Sequence, residues 1–172
     1  MSISPRIVPC LWFDRDAEEA IETYISVFNE APRPRGESKV VSITRYEPGM
    51  EVPGAEEMQG QVLTAIFELD GQRFMALDGG PIFRFNEAVS FYVECEDQAE
   101  VDYFWERLSA VPEAEQCGWL KDRYGLSWQI VPRQLGELLG SPDRRRALAA
   151  TNAMLKMKRI VISELQRAFD DA

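Results

Sequence analysis

The spacing of apolar and polar positions changes along the chain in a regular order. Residues 6–13 (RIVPCLWF) form a short apolar run rich in strand formers. DAEE follows at 16–19, an Asp N-cap with Glu three positions on. Ala17, Ala20, Tyr24 and Val27 then recur at helical spacing, which predicts a helix ending near Phe28. Ser38 to Tyr46 and Val62 to Leu69 read as strands, and Asp70 with Gly71 predicts a tight turn into a strand over Arg73 to Leu77. The order then repeats. Residues 87–94 (EAVSFYVE) read as a strand, and DQAE at 97–100 caps a helix carrying Val101, Phe104, Trp105 and Leu108. Glu115 to Leu120, a turn over Asp122 to Gly125, and Leu126 to Val131 close the second half. Aligning the two caps pairs Ala20 with Val101, Tyr24 with Trp105 and Val27 with Leu108. The expectation is one unit of strand, helix and three strands used twice, as module one over about 5–79 and module two over about 86–132.

Three segments depart from that repeat. Residues 47–60 form an acidic, Pro- and Gly-rich loop longer than most connections, expected either to be disordered or to act as a lid. Residues 79–86 link the halves. After Pro132 the chain reads as a helical extension over about 133–172, with a helix start at SPD (141–143), apolar positions at Leu148 and Leu155, and a last short helix from Ser163 and Glu164 around Leu165 and Phe169. The basic cluster Arg144, Arg145, Arg146, Lys156, Lys158 and Arg159 reads as a solvated helix face, with phosphate binding as the alternative.

Composition narrows the chemistry. The 172 residues suffice for one domain with a sizeable core or two small halves. A net charge of -10 and a pI near 4.6 argue against nucleic acid and against anionic membrane surfaces as partners. No apolar run approaches spanning length, and residues 1–5 lack a signal-peptide pattern. Cys10, Cys95 and Cys117 are odd in number and lie in strand-like segments, which disfavours a disulfide framework and makes a cytoplasmic location the simplest expectation. Histidine is absent, which removes the usual general base near neutral pH, the commonest metal ligand and every Ser-His or Cys-His arrangement.

Strand alternation assigns faces. Val89, Phe91 and Val93 form one apolar face, and Ser90, Tyr92 and Glu94 the other. Trp128 and Ile130 oppose Gln129, Phe74 and Ala76 oppose Met75 and Leu77, and Thr64, Ile66 and Glu68 share a side. An isolated amide at Gln129 on an otherwise apolar strand is expected to face a cavity. The alternative is an amide satisfied by neighbouring backbone.

The motifs PCLWFD, AEEAIETYISVF, FMALDGGPIFRFNEAVSF and QCGWLKDRYGLSWQIVP resemble the PhnB-like family, often labelled a 3-demethylubiquinone-9 3-methyltransferase domain, within the vicinal oxygen chelate superfamily of glyoxalase I, extradiol dioxygenases and bleomycin-resistance proteins. The similarity covers most of the chain, helical tail included. It implies an α+β fold of two βαβββ modules forming an open, cup-like mixed sheet around a cavity, with C-terminal helices, as a single domain over 1–172 and usually a homodimer. The superfamily's metal enzymes place ligands at positions that correspond to Pro9, Met75, Ser90 and Gln129, a set unable to make a hard divalent site, so no metal is expected. Gln129 then stands where a relative carries Glu. Gly79 and Gly80 precede Pro81 and a linker rather than a nucleotide-sized crevice, so they do not supply the Gly-rich turn of S-adenosylmethionine enzymes, and no cofactor is expected.

The expected ligand site comprises Pro9, Leu11, Phe13, Thr64, Met75, Leu77, Ser90, Tyr92 and Gln129, apolar walls with a few polar groups. The resemblance favours a metal-independent protein that binds a small organic molecule. The alternative is a metal-independent enzyme using Glu68, Tyr92 or Glu94, and a structural dimer module is third.

Overall fold

The computed structural model describes residues 6–172; residues 1–5, read above as lacking a leader pattern, lie outside the described part. Two compact units divide the chain, Met1–Arg84 and Phe85–Ala172. No helix among the described residues is long and apolar enough to cross a membrane.

In the first unit, β1 (Cys10–Phe13) leads to α1 (Ala17–Asn29), then β2 (Lys39–Arg45), β3 (Val62–Leu69) and β4 (Gln72–Asp78). The sheet order is β1-β4-β3-β2, with β1 parallel to β4 and the other pairs antiparallel. Asp70 and Gly71 both have positive φ (47° and 80°), the backbone that a two-residue hairpin turn requires and that this residue pair tolerates. The apolar side of α1 (Ala20, Ile21, Tyr24, Val27 and Phe28) is buried with Ala65, Phe67, Phe74 and Ala76 of the sheet. Phe67 stacks on Phe74, their ring centroids 5.3 Å apart.

The loop over 47–60 is neither a bare tether nor a detached flap. It folds onto its own apolar cluster of Tyr46, Ala55 and Met58, joined by Met50 and Leu63. Arg45 grips Glu18 through two contacts of 2.6 and 2.8 Å and donates to the Gly60 carbonyl, which pins the loop's end beside α1.

The second unit begins β5 (Ser90–Cys95), α2 (Gln98–Leu108), β6 (Trp119–Lys121) and β7 (Ser127–Pro132), in the sheet order β5-β7-β6. Two strands rather than the expected three follow its helix. Between α2 and β6 the chain makes a 3-10 turn over Pro112–Ala114, where a Pro at the start removes a ladder donor. α2 begins as the sequence predicts, with the Asp97 carboxylate accepting from the Glu100 N–H at 3.1 Å. Val101, Phe104, Trp105 and Leu108 are buried on its sheet-facing side, together with Leu120, Trp128 and Ile130.

The extension is three helices, α3 (Arg133–Leu139), α4 (Arg144–Met154) and α5 (Ile162–Asp170). Asp143 caps α4 by accepting from the N–H groups of Arg145 and Arg146. These helices close over Val131 at the end of β7 through Leu135, Leu138, Ala150, Ile160 and Leu165. Gln98 holds the approach to α5 from both sides, donating to the Ile160 carbonyl (3.0 Å) and accepting from the Ile162 N–H (2.9 Å). Of the basic cluster, Arg146 lies over the Phe169 ring and beside Asp143, Lys158 pairs with Glu115, and Arg159 pairs with Asp102 and Glu106. Arg144, Arg145 and Arg146 lie on α4, whereas Lys156, Lys158 and Arg159 follow its end, so the cluster is paired and largely solvated but is not one helix face.

Candidate functional site

Register in the second unit sorts its strands into two faces. Phe91, Trp128 and Leu120 lie side by side on the helix side, while Tyr92, Gln129 and Trp119 form the matching row on the other. The Trp128 ring is buried, packs edge-on to Phe91, and donates its indole N–H to the Asp122 carboxylate at 2.8 Å. Asp122 also accepts from the N–H groups of Tyr124 and Leu126, which is why an acid can sit buried at this turn. The next row on the open face is Ser90, Ser127 and Lys121. Gln129 is half-buried and its amide donates to the Ser90 hydroxyl at 2.8 Å, so its partner is a side chain on the same face rather than backbone. Tyr92 is 56% exposed; burial of the remainder, with the nearby charge of Glu94, pushes its phenol above the ordinary value.

An open groove of about 400 Å³ adjoins these rows, lined by Glu87, Ala114, Gln116, Cys117 and Trp119. Cys117 has φ 52° and Gly118 φ 86°, a left-handed pair in which the cysteine is the strained member. The extension holds that backbone in place: Cys117 N–H donates to the Met157 carbonyl at 2.9 Å and Gly118 N–H to the Lys158 carbonyl at 2.8 Å. Lys121 pairs with Glu87. This hydrogen bond and the adjacent ammonium hold the Glu87 carboxyl below its ordinary range.

In the first unit the register corrects one expectation. Cys10 lies beside Met75, Leu11 beside Ala76, Trp12 beside Leu77 and Phe13 beside Asp78. Leu11 and Phe13 are therefore buried on the helix-side face, and do not share a side with Met75 and Leu77. Pro9, just before the strand, offers its carbonyl to the Met75 N–H at 2.9 Å. Alternation gives each strand two sides but does not say which sides of neighbouring strands coincide; only the pairing register does. The open face instead combines Met75, Leu77 and Thr64, as expected, with Cys10, Trp12 and Ile66. Glu68 on this face is tied to Arg73 at 2.9 Å, and Glu94 in the second unit is exposed.

Three features were not anticipated from the sequence. Trp12 donates its indole N–H to the Gly80 carbonyl (2.9 Å) and meets the Phe83 ring edge-on. A Cβ at residue 79 would stand 2.1 Å from the Trp12 ring, so the Gly79-Gly80 pair serves the close approach of a tryptophan. Asp78, buried at the end of β4, caps α1 in place of Asp16: its Oδ1 accepts from the Ala17 N–H at 2.9 Å. Its Oδ2 has no partner, and desolvation raises its pKa above the ordinary value. Ser127 is likewise buried, and its hydroxyl has no partner. An apolar flank around Asp78 and Ser127 hides both from a reading that seeks chemistry in exposed polar runs.

For the divalent metal of the superfamily's enzymes the donor set does not fit. Met75 and Ser90 are soft or neutral, Gln129 offers one uncharged amide oxygen, and Pro9 has only its carbonyl, which already accepts from Met75. Among the described residues no group of three or more Cys, Asp or Glu is placed to hold a metal ion. What the open face of the second unit offers is recognition chemistry: hydroxyls, an amide, two aromatic rings and one ion pair.

Comparison with known proteins gives consistent results. The model of the 3-demethylubiquinone-9 3-methyltransferase family matches residues 5–131. The extension lies outside that match. Among solved structures, the chain is 35% identical to the PhnB protein from Bacillus cereus, which bears the same methyltransferase label, with a TM-score of 0.58, covering 74% of this chain and 99% of that one. A protein from Pseudomonas aeruginosa is 19% identical, with a TM-score of 0.56 over 75% of this chain and 98% of that one, a likeness of fold. A search of curated proteins finds no match.

Proposed function

We propose that this chain, which belongs to the 3-demethylubiquinone-9 3-methyltransferase (PhnB-like) family of the vicinal oxygen chelate superfamily, binds a small organic molecule without a metal. The observation that carries the reading is the open face of the second unit, where Gln129 and Ser90 hold each other between Tyr92 and Trp119 beside a groove of about 400 Å³. That size suits a small ligand, and a few oriented polar groups among aromatic walls are how such sites obtain specificity. On the open face of the first unit, Thr64, Met75 and Leu77 are proposed as ligand contacts of that unit, whereas Leu11 and Phe13 are core. The methyltransferase label is not adopted as an activity, because Gly79 and Gly80 are spent on Trp12 rather than on a nucleotide.

A homodimer is part of the proposal. Ile82, Phe83, Val89 and Tyr92 are large apolar side chains left exposed within their units, and exposed apolar surface of this kind is commonly covered by association. A reducing, cytoplasmic setting fits the three free thiols. Native mass spectrometry of gently purified protein tests both points. It should show a dimer of the 19.6 kDa chain and a retained small molecule that leaves on denaturation. A monomer with no adduct, together with no binding in a metabolite-library thermal-shift screen, would refute the reading.

A further inference from the structure

The open face of the second unit contains a cationic arrangement that the reading above does not use. Lys121 lies opposite Ser127 across the β6–β7 ladder, and Ser127 lies opposite Ser90 across the β7–β5 ladder. Glu87, three residues before Ser90, takes the Lys121 ammonium. The pair therefore reaches from one edge strand to the approach of the other, across the central strand at Ser127. Beneath it the Ser127 hydroxyl is buried and has no partner. The Ser90 hydroxyl accepts from Gln129, which leaves its own proton free to donate. Two hydroxyl donors and an ammonium on one face are the groups that recognise an oxyanion. A carboxylate, that of Glu87, already pairs with the ammonium, and it belongs to the protein.

We propose that Lys121, Ser127 and Ser90 form an oxyanion subsite of the ligand site, with Glu87 as a tethered stand-in for the anionic head of the ligand. The inference rests on the ligand-binding reading and assigns the ligand a class: a small organic acid whose carboxylate or phosphoryl head displaces Glu87 while its body lies in the groove against Trp119. Displacement is feasible because Glu87 is mostly exposed and its link to Lys121 is a surface ion pair, which contributes little. The orphaned Ser127 hydroxyl then finds an acceptor, which it lacks while Glu87 is in place.

The test is an NMR titration of the full chain with benzoate, phenylphosphonate and neutral benzamide, on wild type and on Glu87→Gln, Lys121→Met and Ser127→Ala variants. Glu87→Gln should bind at least one of the two anions roughly three- to tenfold more tightly than wild type, since both a competing contact and a like charge are removed. The shifts should centre on Ser90, Lys121 and Ser127, and benzamide should gain nothing. Adding Lys121→Met to Glu87→Gln should erase the gain. Ser127→Ala, which removes a buried hydroxyl without a partner, should melt no lower than wild type yet weaken the anion in the Glu87→Gln background. Whichever anion responds identifies the head group. Equal affinity of wild type and Glu87→Gln for both anions, an equal gain for benzamide, or a gain that survives Lys121→Met would overturn the subsite. Benzamide binding in the groove without any anion preference would do so while leaving the ligand-binding reading intact.

Discussion

Gln129 and Trp128 are neighbours on β7 that the structure places on opposite faces, so exchanging each tests the assignment of function to one side and stability to the other. Trp128→Ala removes a fully buried indole, its edge-on contact with Phe91 and its hydrogen bond to Asp122. Truncating a buried Trp costs about 3–5 kcal/mol. Leaving Asp122 Oδ2 short of a donor in a buried position adds about 1–3 kcal/mol unless water reaches it. Gln129→Leu loses one half-buried hydrogen bond, to Ser90, for about 1 kcal/mol, partly offset by the apolar replacement. The measurement is urea unfolding followed by far-UV circular dichroism, with tryptophan fluorescence in parallel so that separate unfolding of the two units is seen if it occurs. Trp128→Ala should lower the midpoint by several times the shift produced by Gln129→Leu, with unchanged slope for the latter. Ligand binding should respond in the opposite order, Gln129→Leu losing roughly tenfold or more, the loss expected when a ligand polar group forfeits its partner. If Gln129→Leu unfolds as readily as Trp128→Ala, the amide is a fixture of the core, and the open face of the second unit has been assigned to the wrong side of the sheet.

Further outcomes follow from the parts the sequence reading did not anticipate. Asp78 holds its proton to higher pH when folded than when unfolded, so its contribution to stability is present at low pH and is lost as pH rises above its ordinary value of 3.8. Asp78→Asn keeps an acceptor for the Ala17 N–H, so its melting temperature should rise relative to wild type between pH 4 and pH 7; a difference that does not change with pH would refute the burial argument. Gly79→Ala must displace Trp12 and break its bond to Gly80, costing about 1–3 kcal/mol as overpacking, read from thermal melts against Gly136→Ala, an exposed position of α3 where the same change should instead gain about 0.5–1 kcal/mol. Gln98→Ala should cost about 1–3 kcal/mol for its bonds to Ile160, Ile162 and Asp102 and raise hydrogen exchange selectively over 160–162, and unaltered exchange there would show that the helices hold the segment without it.

How much of this was legible in the sequence depended on the range of the interaction. Helix starts at Asp97 and Asp143, the Asp70-Gly71 turn and the span Val62–Leu69 are set by residues within a few positions of each other, and they stand where the spacing predicts. At Asp16 the local signal misled. The capping pattern is present, but the carboxylate that meets the Ala17 N–H arrives from the end of β4, 61 positions away in sequence. The same limit explains Leu11 and Phe13. They alternate with Cys10 and Trp12, but the side they share with β4 is fixed by a parallel register that no local pattern encodes. Ser90, Tyr92 and Gln129 were grouped correctly because matching ends of β5 and β7 happen to give the same answer as the register. Lys121 and Ser127 went unnoticed because a single lysine beside a turn and a serine in an apolar strand carry no signal until the strands are paired.

The two units show why family membership reaches the fold before it reaches the chemistry. In both, the residues buried against the helix are of one kind: Phe67, Phe74 and Ala76 under α1, and Leu120, Trp128 and Ile130 under α2. A change there must refill a packed volume, so these positions constrain one another. The other face of each strand has no such duty. Cys10, Trp12, Ile66 and Met75 make the first unit's open face mostly apolar, whereas Ser90, Gln129, Ser127 and Lys121 make the second's polar, on strands that follow the same grammar. At Gln129 the open face carries a neutral amide rather than a carboxylate. That amide adds no charge to the face and has its own partner in Ser90. Such a sheet therefore tolerates varied chemistry on its open face, provided each polar group there is satisfied by a neighbour or by a ligand. Ser127 is the residue on that face for which no neighbour does so, which makes it the place where a ligand has the most to add.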